Sequence, residues 1–238
     1  MSKFSTKGDK TKTHAAWDAV TSRDPSHQDP NEKIDLGPSA SVTFKNDPKM
    51  LLFTLSRYKF VAKMLRGARN VLEIGCQEGI GARLVAKDVG SYTGIDFFTP
   101  YIDECQSGSP TTIDNAQFLA HDILDGPVAG EFDAAFCIDV IEHIANEDEP
   151  AFLKNVLSSL TEHGTMIVGA PTLESQQYAS AGSKMGHINC KSGEQFQNDM
   201  DAYFHNTFLF GMNDEVIHTG YNPMCQYHFL ICTGPKRL

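Results

Sequence analysis

Apolar residues in this chain fall into short continuous runs, and helical spacings fill the gaps between them. Residues 71–74, 91–95, 117–120, 133–138 and 164–170 read as five strands, the last closed by Pro171. Runs that are apolar throughout belong to parallel strands with both faces covered. Ahead of them, Asp47-Pro48 supplies a capping acid and a proline at the first helical position. Leu51, Leu55, Tyr58, Val61 and Leu65 then recur at helical spacing. Leu52, Phe53, Phe60 and Met64 widen that apolar surface and predict a helix covered on more than one side. Further helices are expected over about 79–87 and 151–160. Strands that alternate with helices from 70 to 170 imply a parallel sheet with right-handed crossovers.

Both ends of the chain change character. Residues 1–46 are polar and broken by Asp24-Pro25, Asp29-Pro30 and Gly37-Pro38, so they read as an extension ahead of one domain over 47–238. A short helix is expected around 15–20, with Trp17, the only tryptophan, as a packing anchor. After a polar, glycine-containing stretch over 172–190 come a short helix over 192–201 and two aromatic and β-branched strands, 203–211 and 226–233. Asn213-Asp214-Glu215 is placed as the turn between those strands. There is no internal repeat.

The formal net charge of -10 argues against nucleic acid or an anionic membrane as the main partner. A hydrophobic content of 41% is that of a globular protein, yet no apolar run reaches the length of a membrane span. The lysine-rich start lacks the apolar core of a secretion leader, and the six cysteines show no C-x-x-C pairing. Reduced, mostly buried cysteines in a cytoplasmic protein are the expectation.

The first strand ends in Glu73-x-Gly75-x-Gln77-x-Gly79 and runs into a helical spacing. Glycines there let the backbone turn tightly and approach a ligand, and a helix start offers free N–H groups. A dinucleotide fingerprint would read G-x-G-x-x-G, and a phosphate-binding loop would end Gly-Lys-Ser/Thr; neither is present. Asp96 closes the second strand about 20 residues on, where an acid accepts from ribose hydroxyls. Phe97 and Phe98 follow, placed to face a nucleobase. A nicotinamide oxidoreductase would use the same sheet with the missing fingerprint, and a non-catalytic binding protein would keep the turn and Asp96 alone.

The joint spacing of Glu73, Gly75 and Gly79, then Asp96, Asp122 and the segment 139–143, resembles class I S-adenosylmethionine-dependent methyltransferases over about residues 50–233. Gln77 stands where many members carry glycine. The resemblance implies a Rossmann-like seven-stranded α/β sheet, mostly parallel with an antiparallel C-terminal end. It implies that Glu73, Gly75, Gln77, Gly79, Asp96, Phe97 and Asp139 hold the cofactor. It makes Asp122 the acceptor for the adenine amino group, where the residues alone equally allow a helix cap. Arg57 reads as a surface-paired arginine or, by the resemblance, as a clamp on the cofactor's carboxylate.

Methyl transfer to a hydroxyl needs that proton removed, by a base or through a metal. Asp139, Glu142 and His143 lie at i, i+3 and i+4, on one face if this segment is helical. His187 sits in the polar loop after the fifth strand. Two carboxylates and two imidazoles suit Mg, Mn or Zn. The Asp-x-x-Glu-His segment resembles that of the ubiquinone-biosynthesis O-methyltransferases and of the small-RNA 3′-terminal 2′-O-methyltransferases. In the second group, carboxylates and histidines bind a metal that holds ribose hydroxyls. A metal-free site with His143 or His187 as base or orienter stands beside that reading. His205 and His218 are placed near the last strands, facing substrate or satisfied within the fold. The expected acceptor is a small molecule, most readily a sugar or other polyhydroxylated metabolite methylated at oxygen, with N-methylation of a small metabolite as the alternative. Oligomeric state is not readable from the sequence.

Overall fold

The computed structural model describes residues 10–22, 36–107 and 113–236. The turns expected at Asp24-Pro25 and Asp29-Pro30 lie outside the described residues. The chain divides into two compact units, Met1–Asp35 and Leu36–Leu238. The described part of the first is one helix, α1 (Lys10–Thr21), and its closing turn; Trp17 on it is 67% exposed.

In the second unit, Gly37-Pro38 starts a helix, α2 (Pro38–Asn46), so that residues 36–46 fold with the sheet-bearing unit. Asp47 caps the next helix, α3 (Pro48–Met64), by accepting from the Lys49 backbone N–H at 3.1 Å. That helix buries Leu51, Tyr58, Val61 and Ala62, while Leu52 and Met64 stay exposed. Phe60 packs its ring against Phe210 and Phe229 of the sheet, and α2 and the helix at Ala82–Val85 lie against the same helix, so it is covered on more than one side, as expected.

Strand β1 (Asn70–Ile74) follows, then the glycine turn and α4 (Ala82–Val85), continued by a 3-10 turn over Ala86–Asp88. The helix expected over 79–87 is this short because the turn itself uses residues up to Gly81. There a Cβ would come within 2.0 Å of the Tyr58 ring. The chain continues through β2 (Ser91–Asp96), α5 (Thr99–Gln106), β3 (Ala116–Ala120), β4 (Phe132–Ile138), α6 (Glu149–Ser159) and β5 (Leu160–Pro171). A 3-10 turn over Glu174–Tyr178, α7 (Ala181–Gly186) and α8 (Gly193–Asp201) lead to β6 (Phe204–Asn213), β7 (Val216–His218) and β8 (Tyr227–Pro235).

The eight strands form one sheet in the order β3-β2-β1-β4-β5-β8-β6-β7. The first five in that order pair in parallel, and β8, β6 and β7 pair antiparallel. The Rossmann-like, mostly parallel sheet is as expected; its eighth strand is the addition. Asn213–Glu215 does make a hairpin turn, with Asp214 at φ 51°, but it joins β6 to the three-residue β7. Three residues are too few to stand out as a periodic run. Strand order reverses between β1 and β4, which opens a crevice at their carboxyl ends.

The sheet carries a core on each face. Leu72 and Ile74 of β1 enter the layer with Phe152, Leu153 and Val156 of α6, and Val71 enters the layer with Val61 of α3 and Val85 of α4. No helix among the described residues is long and apolar enough to cross a membrane. All six cysteines are free thiols, and Cys76, Cys137, Cys225 and Cys232 are buried.

Glu73 points into the α3 layer and is fully buried. The Tyr58 hydroxyl donates to one carboxylate oxygen at 2.8 Å, and the Tyr92 hydroxyl donates to the other. Burial dominates this carboxyl and pushes its pKa up to about 8. Between the ordinary carboxylate value and about 8 the folded chain therefore holds a proton that the unfolded chain releases. The stabilisation is complete below the unfolded value and is lost as pH rises through about 8. Glu73→Gln keeps the packing without the charge. Denaturant melts from pH 5 to 9 are expected to show the variant gaining on the wild type with rising pH, by roughly 1–3 kcal/mol at the top, the size of a badly buried polar group. Parallel pH curves for the two proteins would contradict this role.

Candidate functional site

The crevice at the carboxyl ends of β1, β2, β3 and β4 holds a cavity of about 560 Å³. Its walls include Gly75, Gln77, Asp96, Phe97, Asp122, Asp139 and His143, seven of the residues singled out from sequence. Ile74, Ile95, Val140 and Ile144 add apolar wall, and Phe98, Tyr101 and His121 complete the opposite side.

The turn that forms one wall is held in an unusual backbone. Gly75, Gln77 and Gly79 have φ of 77°, 48° and 77°. Left-handed backbone suits glycine and is strained for glutamine. A Cβ on Gly75 would lie 2.4 Å from Val140 Cγ2, so this glycine also lets the segment after β4 approach. The Gln77 N–H donates to Asp96 Oδ2 at 3.0 Å, and the Phe98 N–H donates to Asp96 Oδ1 at 2.9 Å. Each carboxylate oxygen keeps a further lone pair for a ligand hydroxyl. Asp122 accepts from the Leu124 N–H at 2.9 Å, so it caps the turn after β3 while also facing the cavity. Phe97 stands 73% exposed at the mouth.

Three residues expected to hold the cofactor are placed elsewhere. Glu73 is turned away from the cavity, into the α3 layer, because alternate residues of a strand face opposite sides. Gly79 is buried, where a Cβ would meet Phe118 at 3.1 Å and the Cys105 sulfur at 3.2 Å; it shapes the turn without lining the cavity. Arg57 donates to Asp139 Oδ2 at 2.6 Å, and its guanidinium lies 4.0 Å from the centre of the Tyr227 ring. The arginine is thus paired with Asp139 through one Nη, while its Nε keeps a donor with no partner.

The segment after β4 is a 3-10 turn over Ile141–His143, with Asp139 at φ 56°. A helical face shared by Asp139, Glu142 and His143 is therefore not formed. Instead, Glu142, His143 and His187 bring one ligand atom each to within 4.8 Å of one another, and Asp139 is not in that group. The Ile188 and Asn189 N–H groups donate to the Glu142 carbonyl at 2.9 and 3.0 Å, which draws the α7 segment over the turn. His143 Nδ1 faces the Gly186 carbonyl at 2.8 Å, and His187 Nδ1 faces Gln176 Oε1 at 2.9 Å. A ring nitrogen against a carbonyl oxygen carries the proton, so each Nε2 is left with its lone pair. The His187 pKa is held down by burial and by the neighbouring His143.

Glu142 is 1% exposed, and neither of its carboxylate oxygens has a hydrogen-bond partner. Burial and the charge of Asp139 push its pKa well above the carboxylate range. Buried polar groups are nearly always satisfied, so this carboxyl marks a place built for a proton or a cation. Two imidazole nitrogens beside it, each with its other ring nitrogen anchored on a carbonyl oxygen, have the outer support that metal-binding histidines need. Gln176 and Gly186 carry that support; a glutamine in a polar loop gave no sign of it in the sequence. His205 is exposed, and His218 is engaged by Asn213 Oδ1 and the Gly220 N–H, so both stand apart from the cavity and the cluster.

Gly75→Ala is expected to lower stability by about 2–4 kcal/mol, combining left-handed strain with the clash against Val140. Gln77→Gly is expected to raise it slightly, by under about 1 kcal/mol, since relief of strain exceeds the added chain entropy. Urea melts of both variants check this; a stable Gly75→Ala protein would mean the turn is not held as described.

Residues 71–164 match a family model described as a methyltransferase domain. No curated protein matches the chain. Among solved structures, the N-methyltransferase NodS from Bradyrhizobium japonicum WM9, in complex with S-adenosyl-L-homocysteine, superposes with a TM-score of 0.62 at 15% identity, over 84% of this chain and 95% of that one. The methyltransferase domain of bacterial CtHen1 gives 0.60 at 18% identity, over 76% and 99%. A DhpI complex with S-adenosylhomocysteine gives 0.61 at 17% identity, over 83% and 92%. These likenesses establish the fold. The chain thus has the fold of these methyltransferases, and its residues 71–164 carry the match to a methyltransferase domain.

Proposed function

We propose that this chain is an S-adenosylmethionine-dependent methyltransferase that acts on a hydroxyl oxygen of a small, polyhydroxylated acceptor. The observation that carries the reading is the unpartnered Glu142 carboxyl beside the imidazoles of His143 and His187, next to the cofactor cavity through His143. A neutral amine attacks a sulfonium methyl without help, whereas a hydroxyl needs its proton taken. The net charge of -10 favours a small acceptor over a nucleic acid.

The walls fit S-adenosylmethionine. Asp96 offers lone pairs to ribose hydroxyls, Asp122 offers an acceptor for the adenine amino group, and Phe97 offers a ring face. Asp139 sets negative charge where Val140 and the glycine turn meet. When bound, the cofactor supplies the methyl group on a sulfonium. What the chain adds is position, exclusion of water and a place for the acceptor proton. His143 Nε2 accepts that proton, and the Gly186 carbonyl fixes the ring so that this nitrogen faces the reaction. His187, held by Gln176, orients the acceptor.

The donor set also fits a divalent cation, held by Glu142, His143 and His187. Such an ion would supply Lewis-acid polarisation of the acceptor oxygen. With Asp139 engaged by Arg57, one carboxylate and two imidazoles favour Mn or Zn over Mg.

Titration calorimetry with S-adenosylhomocysteine is expected to give micromolar binding, weakened at least tenfold by Asp96→Ala; unchanged affinity would remove Asp96 from the site. His143→Gln is expected to lower turnover on a panel of sugars and vicinal diols by 10² or more, with S-adenosylhomocysteine affinity kept. Loss of turnover in excess chelator, restored by Mn, assigns the cation; full turnover in chelator leaves His143 as a metal-free base. Turnover of amines alone would overturn the oxygen reading.

A further inference from the structure

Two thiols sit at the back of the glycine turn. Cys76 lies between Gly75 and Gln77, fully buried, and Cys105 lies on α5, half-buried. Both donate to one acceptor, the Gln77 carbonyl, at sulfur–oxygen distances of 3.6 and 3.4 Å. The neighbouring Cys105 and burial hold the Cys76 thiol well above its ordinary pKa, so in the reduced protein it is protonated. The same crowding shows at the glycines: a Cβ on Gly79 would lie 3.2 Å from the Cys105 sulfur, and one on Gly94 would lie 3.0 Å from the Cys76 sulfur. The other four cysteines share no such acceptor among the described residues.

Nothing in methyl transfer uses these thiols. Their shared acceptor belongs to the peptide unit next to the Gln77 N–H that holds Asp96. The turn that needs left-handed backbone at three positions is thus braced from behind by two S–H donors.

We propose that Cys76 and Cys105 are a modification site, forming a reversible disulfide by exchange with a low-molecular-weight disulfide such as oxidised glutathione, and that this bond withdraws the turn from the cofactor. The half-buried Cys105 reacts first. Its thiolate attacks one sulfur of the glutathione disulfide, and one glutathione thiolate leaves. Cys76 then attacks the Cys105 sulfur of the mixed disulfide, giving up its proton to the departing glutathione thiolate as the second glutathione leaves. Two protein thiols become one disulfide, one glutathione disulfide becomes two glutathione thiols, and the two protons pass to those thiols. The Gln77 carbonyl loses both donors at once.

The cofactor consequence rests on the proposed binding of S-adenosylmethionine in this cavity; the covalent step does not. The full chain is incubated with oxidised glutathione, and non-reducing peptide mass mapping is read alongside calorimetry with S-adenosylhomocysteine. The expected result is a Cys76–Cys105 linked peptide, with affinity weakened about tenfold or more and restored by dithiothreitol. Cys105→Ser, which keeps a donor to the Gln77 carbonyl, is expected to keep reduced-state affinity and to lose the response to glutathione. A glutathione adduct that stays on Cys105, or no reaction there, overturns the proposal. So does a linked peptide with unchanged affinity. A reduced protein that binds no S-adenosylhomocysteine would instead fail the cofactor assignment, with the linked peptide still deciding the thiol chemistry.

Discussion

The structure depends on a backbone constraint: three left-handed residues, Gly75, Gln77 and Gly79, within five positions at the end of β1. Such a turn does not hold itself, and its surroundings determine it. Val140 closes on Gly75, Asp96 accepts from Gln77, and Phe118 and Cys105 pack on Gly79. One step earlier, Glu73 ties β1 to α3 and β2 through two phenols. The cavity exists because these contacts keep the turn open toward the crevice between β1 and β4.

Two buried carboxyls show how burial separates scaffold from site. Glu73 and Glu142 are both removed from water, and both are pushed toward the protonated form. Glu73 has a tyrosine on each oxygen, so its network is closed and serves the fold. Glu142 has none, and two histidines stand beside it. A satisfied buried network rigidifies, whereas an unsatisfied one awaits a partner. The contrast lies in the neighbours, since the two residues are chemically the same.

Arg57 and Asp139 show the same dependence on neighbours. Arg57 stacks on Tyr227 and binds Asp139, so two charges in a low-dielectric wall neutralise each other. That pairing takes Asp139 out of the Glu142–His143–His187 group and leaves a donor set with one carboxylate instead of two. The 3-10 turn that separates them is held by the α7 segment, through the Glu142 and Gly186 carbonyls.

Much of this protein was legible in its residues. The apolar runs reported the parallel strands because a strand covered on both faces has no polar alternation. The glycine turn, Asp96 and Asp122 were legible because strand ends fall at fixed offsets in such a sheet, and all of them reach one cavity wall or its turn. The short strand β7 and the truncated α4 were not, because three or four residues carry no period. Side-chain direction at Glu73, the partner of Arg57 and the departure of Asp139 from its neighbours were decided by tertiary structure alone. They turn on strand facing, on a residue 82 positions away in the chain and on a left-handed backbone angle. None of those leaves a mark on local sequence spacing.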